Sequence, residues 1–125
     1  MHENDIAKRV IGAAIEVHRF LSFGLMESAN EACLKRELSL AGLWVETEVP
    51  IALEYKGQVI TEAYRIDLLV ESKVVVELKV AGALSEVHRA QLLTYLRLTK
   101  RKLGLLINFN VRVLKDGIIR VVNGL

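Results

Sequence analysis

The stretch Ile66-Asp67-Leu68-Leu69-Val70-Glu71-Ser72-Lys73-Val74-Val75-Val76-Glu77-Leu78-Lys79-Val80 decides the fold. Two aliphatic, β-branched runs flank a polar triplet, the pattern of antiparallel strands joined by a tight turn. Side chains alternate along a strand, so Glu77 and Lys79 project with Val75 to one side. Val74, Val76, Leu78 and Val80 project to the other, toward a core. Loop length then decides where Asp67 points. A three-residue loop at 71–73 sets Val70 opposite Val74 and Asp67 opposite Glu77, placing both carboxylates and the ammonium on one face. A two-residue loop sets Asp67 across from Val76 and separates them.

Two neighbouring carboxylates suit Mg²⁺, a hard ion that keeps several waters and takes phosphate oxygens as its remaining ligands. Such an ion polarises a phosphodiester, and a nearby lysine stabilises the charge that develops on phosphorus. Val-Glu-Leu-Lys-Val is equally the pattern of any amphipathic strand, and Asp67 could form a simple salt bridge with Lys79. Asp67 tips the balance, because residues 65–70 are otherwise so apolar that a charge among them needs a partner.

Outward from this hairpin, the spacing of Ile6, Val10, Ala13, Val17 and Phe20 predicts a helix over 4–21, with Asn4 as its cap. A break at 22–24 precedes a second helix over 25–41, stopped by Gly42. From Trp44 the period becomes that of strands, over 44–49, 51–55 and 59–70, with Pro50 marking an edge or a bulge. Ser85 caps a third helix to about residue 98. His88, Gln91 and Tyr95 share one of its faces, which either holds the lysine or a phosphate or is simply solvated with Tyr95 half buried. The apolar run 103–109 reads as a strand covered on both faces, and 115–117 turns the chain into a last strand over 118–122. Residues 74–80, the third helix and 103–109 form a strand–helix–strand unit, whose two strands should be parallel. The expectation is an α/β domain spanning residues 1–125, a mixed sheet flanked by helices.

The 125 residues are 52% hydrophobic and their mean hydropathy is +0.31. That surplus points to a doubly covered strand, an oligomer interface, or both. No run reaches the roughly 18 apolar residues of a membrane span. Residues 1–5 lack the basic-then-apolar plan of a secretory signal, so a cytoplasmic protein is expected. One cysteine, Cys33, excludes an internal disulfide and a cysteine-cluster zinc site. The net charge of +2 requires any positive field for nucleic acid to be local. Arg65, Arg89, Arg97, Lys100, Arg101 and Lys102 are the candidates.

The series Gly24-Leu25-Met26-Glu27, Ile66-Asp67, Glu77-Leu78-Lys79 and Gln91-Leu92-Leu93-Thr94-Tyr95 resembles the GxxExxY proteins, a branch of the PD-(D/E)XK nuclease superfamily. The resemblance extends to residues 14–19 and 105–110. It implies a restriction-endonuclease-like core, α-β-β-β-α-β, and Mg²⁺-dependent phosphodiester hydrolysis, with Mn²⁺ as a substitute. It also implies Asp67 and Glu77 as metal ligands, Lys79 as the catalytic lysine, Glu27 as a further metal-binding acid, and Gln91 and Tyr95 as supporting residues at the site. The motif that names the family ends in tyrosine, whereas here it ends in Asn30. For Glu27 alone, a helix-start role toward the macrodipole is the competing reading.

Two functions follow. One is a nuclease acting on nucleic acid, DNA ahead of RNA. The other is a catalytically silent binding or assembly module on the same fold, as a homodimer or as an accessory subunit of a larger complex. A Ser or Cys nucleophile is excluded by the lack of a Gly-x-Ser-x-Gly elbow and of a histidine context for Cys33. So small a chain would read nucleic-acid shape, dimerise, or depend on a protein partner for targeting.

Overall fold

A computed structural model of the chain describes every residue except Phe23 and Leu25. The tight turn forms as the sequence requires. Lys73 N–H donates to the Val70 carbonyl at 3.0 Å, Glu71 and Ser72 both take left-handed backbone angles, and Val70 pairs with Val74. The loop is therefore the three-residue one. It joins β2 (Gln58–Val70) to β3 (Val74–Lys79), and β1 (Val45–Tyr55) lies outside β2. β4 (Leu103–Asn108) runs parallel to β3, and β5 (Ile118–Val122) returns antiparallel on its far side. The sheet order is β1-β2-β3-β4-β5.

Three helices cover this sheet: α1 (Glu3–Leu21), α2 (Glu27–Leu40) and α3 (Glu86–Thr99). The cap of α1 is His2 rather than Asn4, its ring Nδ1 accepting from the Asn4 N–H. The expected start of the second helix, Leu25, lies outside the described residues, and α2 begins at Glu27. Ser85 caps α3 as expected, and His88 completes a capping box by accepting the Ser85 N–H. Pro50 sits inside β1, opposite Arg65. β1 is an edge strand, where a missing N–H costs no ladder partner.

The core has two layers. Val74, Val76 and Leu78 of β3 and Leu103, Leu105 and Ile107 of β4 pack with Ile6, Val10, Leu34 and Leu38 of α1 and α2. Val75 and Leu106, from the opposite sheet face, pack with Leu92, Tyr95 and Leu96 of α3. β3 and β4 are thus covered on both faces, which accounts for the high apolar content.

The β1–β2 hairpin does not keep one phase. Val45, Leu68 and Val70 belong to the α1/α2 layer, whereas Val49, Ile51, Tyr64 and Ile66 belong to the α3 layer. Strict alternation would put each set on a single face. The slip falls between 45 and 49 in one strand and between 66 and 68 in the other. Glu48 lies within the first interval, with a backbone φ of 52°, and Asp67 lies within the second. The pairs Thr47–Leu68 and Val49–Ile66 flank these two residues on either side, so Glu48 and Asp67 face each other across the hairpin at the point where it changes layers.

Candidate metal and catalytic site

The β2–β3 ladder runs to the Leu68–Val76 pair. One step further, side chains take over from backbone. Asp67 N–H donates to Glu77 Oε1 at 3.2 Å, and Leu78 N–H donates to Asp67 Oδ2 at 2.8 Å. Each acid thereby holds the other's strand. Glu77 is only 4% exposed. Burial first, then the charge of Asp67 and a side-chain hydrogen bond to it, push its carboxyl up to about 9, while Lys79 pulls the other way. In the ion-free chain this favours the protonated form of Glu77, with its proton in a side-chain hydrogen bond to Asp67.

The carboxylates that converge on a common point are Asp67, Glu31 of α2 and Glu48 of β1, with one oxygen of each within 4.8 Å of the others. They border a cavity of about 490 Å³ that Glu27, Ser28, Met26 and Leu78 complete. Glu31 is pushed up to about 7, chiefly by burial and then by Glu48 and Asp67. The phase slip is what turns Asp67 toward α2. Alternation counted from Leu69 alone would have left it on the α3 side.

Of the other expected residues only Glu27 lines this cavity; Glu77, Lys79, Gln91 and Tyr95 do not. Glu27 commits Oε1 to the Val80 N–H at 3.1 Å. Lys79 is half-buried at the end of β3, and its carbonyl accepts the Phe109 N–H. The segment beyond it is fixed by Asn108, whose side chain accepts from Ala81 N–H at 3.1 Å and donates to Ala81 O at 2.9 Å. Tyr95 is buried against Tyr64, with ring centroids 5.4 Å apart. Burial first, and then Glu77 and Asp67, push its hydroxyl up to about 12. Gln91, one turn earlier on α3, is exposed. Asn30 is buried, donates to the Met26 carbonyl, and leaves its Oδ1 without a partner.

Sequence reasoning missed Glu31 and Glu48. Glu31 stands one turn from Glu27 on the same helix, and Glu48 stands across the hairpin from Asp67. Both signals exist, but the first needs the helix to be docked and the second needs the register of β1. The expected positive rim also divides. Lys100, Arg101 and Lys102 lead into the start of β4, beside the 71–73 turn. That is the far end of β3, roughly 10 Å from Glu77 and roughly 17 Å from Lys79 along the strand at about 3.3 Å per residue. Arg65 lies on the Asp67 side of β2, and Arg89 lies in the first turns of α3.

A mixed five-stranded sheet with helices on both faces and acids at the end of its inner hairpin is a restriction-endonuclease-like α/β domain. The family model of the PD-(D/E)XK nuclease superfamily matches residues 4–121, and the chain belongs to that superfamily. The fold is also similar to the crystal structure of SSO0001, with a TM-score of 0.58 and 22% identity over 79% of this chain. The chain spans about half the length of that protein, 51%. No curated protein matches. No helix among the described residues is long and apolar enough to cross a membrane.

The superfamily implies a divalent metal, and the residues present fit one. Glu31, Glu48 and Asp67 offer only carboxylate oxygens, the donors that hard cations take. Their mutual repulsion, visible in the raised carboxyl of Glu31, is what a dication would cancel.

Proposed function

We propose that this protein is a Mg²⁺-dependent nuclease that hydrolyses phosphodiester bonds, acting as one domain over residues 1–125. The observation that carries the reading is the convergence of the Glu31, Glu48 and Asp67 carboxylates on one cavity. Asp67, Glu48 and Glu31 would hold the ion, with Glu27 at its border and Glu77 behind Asp67, bonded to its N–H. When bound, the ion supplies Lewis-acid polarisation of a phosphoryl oxygen. In the ion-free chain Glu77 accepts the Asp67 N–H, and its side-chain hydrogen bond to Asp67 orients that carboxylate. Lys79 presents an ammonium group to the charge that develops on the phosphate. Asn108 anchors the backbone that follows Lys79, and Tyr95 closes the α3 side behind Glu77. Placement in the GxxExxY branch rests on Gly24, Glu27 and the later motifs, with Asn30 at the tyrosine position.

The test is cleavage of single-stranded, duplex and branched DNA and of RNA in Mg²⁺, Mn²⁺ or EDTA. Cleavage should require the metal and vanish in Asp67→Ala, and activity persisting in that variant refutes the site. The near-complete burial of Glu77 favours a second reading, a silent nuclease-fold module that works through a second copy or a partner. That reading requires no heat on titrating Mn²⁺ and no loss of function in Lys79→Ala, and light scattering reports the copy number.

A further inference from the structure

The end of the sheet opposite the acids has a composition of its own. Trp44, the only tryptophan in the chain, is 65% exposed. Its backbone is fixed from both directions. The Trp44 N–H donates to Glu71 Oε2 at 2.6 Å, and its carbonyl accepts the Glu71 N–H at 2.8 Å. Glu71 and Ser72 hold left-handed angles to achieve this, a conformation that costs non-glycine residues energy. The ring is largely in solvent, and its Nε1 donates to Glu46 Oε1 at 3.4 Å.

Cations follow at the neighbouring strand ends. Lys73 follows in the same turn; it is exposed, and its ammonium donates to the Met1 carbonyl at 2.7 Å. Arg101 donates to the Ser72 carbonyl at 3.0 Å, and exposed Lys100 and Lys102 flank it. Asn123, after β5, bonds to the carbonyls of Arg101 and Lys102. In sheet order this is an aromatic ring at the end of β1, a lysine between β2 and β3, and three cations before β4. Neighbouring strands lie about 4.8 Å apart, so the row spans roughly 14 Å. Glu3, Glu46 and Glu71 are the acids that approach it, and Glu71 is spent on the Trp44 backbone.

An exposed aromatic ring on a fixed backbone, followed by a row of cations, is the arrangement that holds single-stranded nucleic acid, a base stacking on the ring and the backbone tracking the charges. We propose that this edge is a second nucleic-acid site, which binds a single strand through Trp44, Lys73, Lys100 and Lys102. It lies away from the acids and stands independently of the nuclease reading.

The lone tryptophan makes the test direct. A short oligothymidylate titrated into the full chain in EDTA, where metal-dependent cleavage is silent, should quench tryptophan emission. The apparent affinity should fall with salt at a log–log slope of about −2, as for three phosphate contacts on a single strand. Lys100→Asn/Lys102→Gln should weaken binding about tenfold or more, given that slope; asparagine is used because Lys100 has a left-handed backbone. Lys35→Ala/Arg36→Ala, which removes the same charge from the exposed side of α2, should not. Trp44→Phe, followed by anisotropy of a labelled strand, should bind more weakly. Thermal melts of each variant separate lost binding from lost folding. Absence of quenching, equal loss in both double variants, or quenching by a duplex alone each overturns the proposal. None of these outcomes bears on metal-dependent cleavage, which the Asp67→Ala assay tests separately.

Discussion

Replacing Glu77 by glutamine should make the metal-free protein progressively more stable than wild type as pH rises. The exchange keeps shape and hydrogen bonding, since the amide oxygen still accepts the Asp67 N–H and the amide N–H₂ replaces the proton shared with Asp67. Only the titration is removed. Glu77 is raised from 4.5 to about 9 in the folded chain, so between those values the folded state holds a proton that the unfolded state has lost. A raised carboxyl stabilises below the unfolded pKa, and that contribution drains away as pH climbs toward the folded one. The slope is about 1.4 kcal/mol per pH unit for one proton. From about pH 5.5 to about pH 8 the wild type should therefore lose roughly 3 kcal/mol relative to the variant. At about 4 °C per kcal/mol for a chain of this size, that is a divergence of roughly 12 °C in Tm. Urea or thermal unfolding of both proteins in EDTA reads the difference, and groups common to both cancel. Curves that stay parallel across this range would show that Glu77 is ionised in the folded protein and refute the shared proton.

Glu48→Asn should stabilise the ion-free chain by about 1 kcal/mol, because asparagine tolerates the left-handed backbone and one of three crowded carboxylates disappears; the same variant should bind Mn²⁺ more weakly in calorimetry. Asn108→Ala removes three hydrogen bonds, to Ala81 N–H and O and from Asn110 N–H, and should cost about 2–3 kcal/mol in urea unfolding. Gly117→Ala should cost about 2–3 kcal/mol, since its Cβ would fall 2.3 Å from the Asn108 carbonyl oxygen. Gly12→Ala, in the middle of α1 with nothing within 4 Å, should instead gain about 1 kcal/mol.

Much of the fold was legible because it is written locally. The 71–73 turn fixes the β2–β3 register, the doubly apolar run 103–109 marks a covered strand, and Ser85 announces α3. The convergent acids were less legible. Glu31, Glu48 and Asp67 come from three elements and meet only after the hairpin changes layers. That change rests on a left-handed glutamate, with no glycine at the position to signal it. Strict alternation from Leu69 places Asp67 beside Glu77 on the α3 side, and the structure turns its carboxylate toward α2 while keeping the hydrogen bond to Glu77. The basic run 100–102 was misplaced for a related reason. Sequence shows that charges cluster, but only the parallel pairing of β3 with β4 shows at which end of the sheet they lie.

The hairpin of β1 and β2 packs against both helix layers on one side of Glu48 and Asp67, through Leu68 and Val70 and through Leu69, and against the α3 layer alone on the other. Those two acids occupy the fulcrum of a lever whose free arm ends at the exposed turn of Tyr55, Lys56 and Gly57. A force on that tip is resisted by different sets of helices on either side of the pivot. Beyond the two carboxylates the arm is therefore held by the α3 layer alone, and the acids sit where its second support begins.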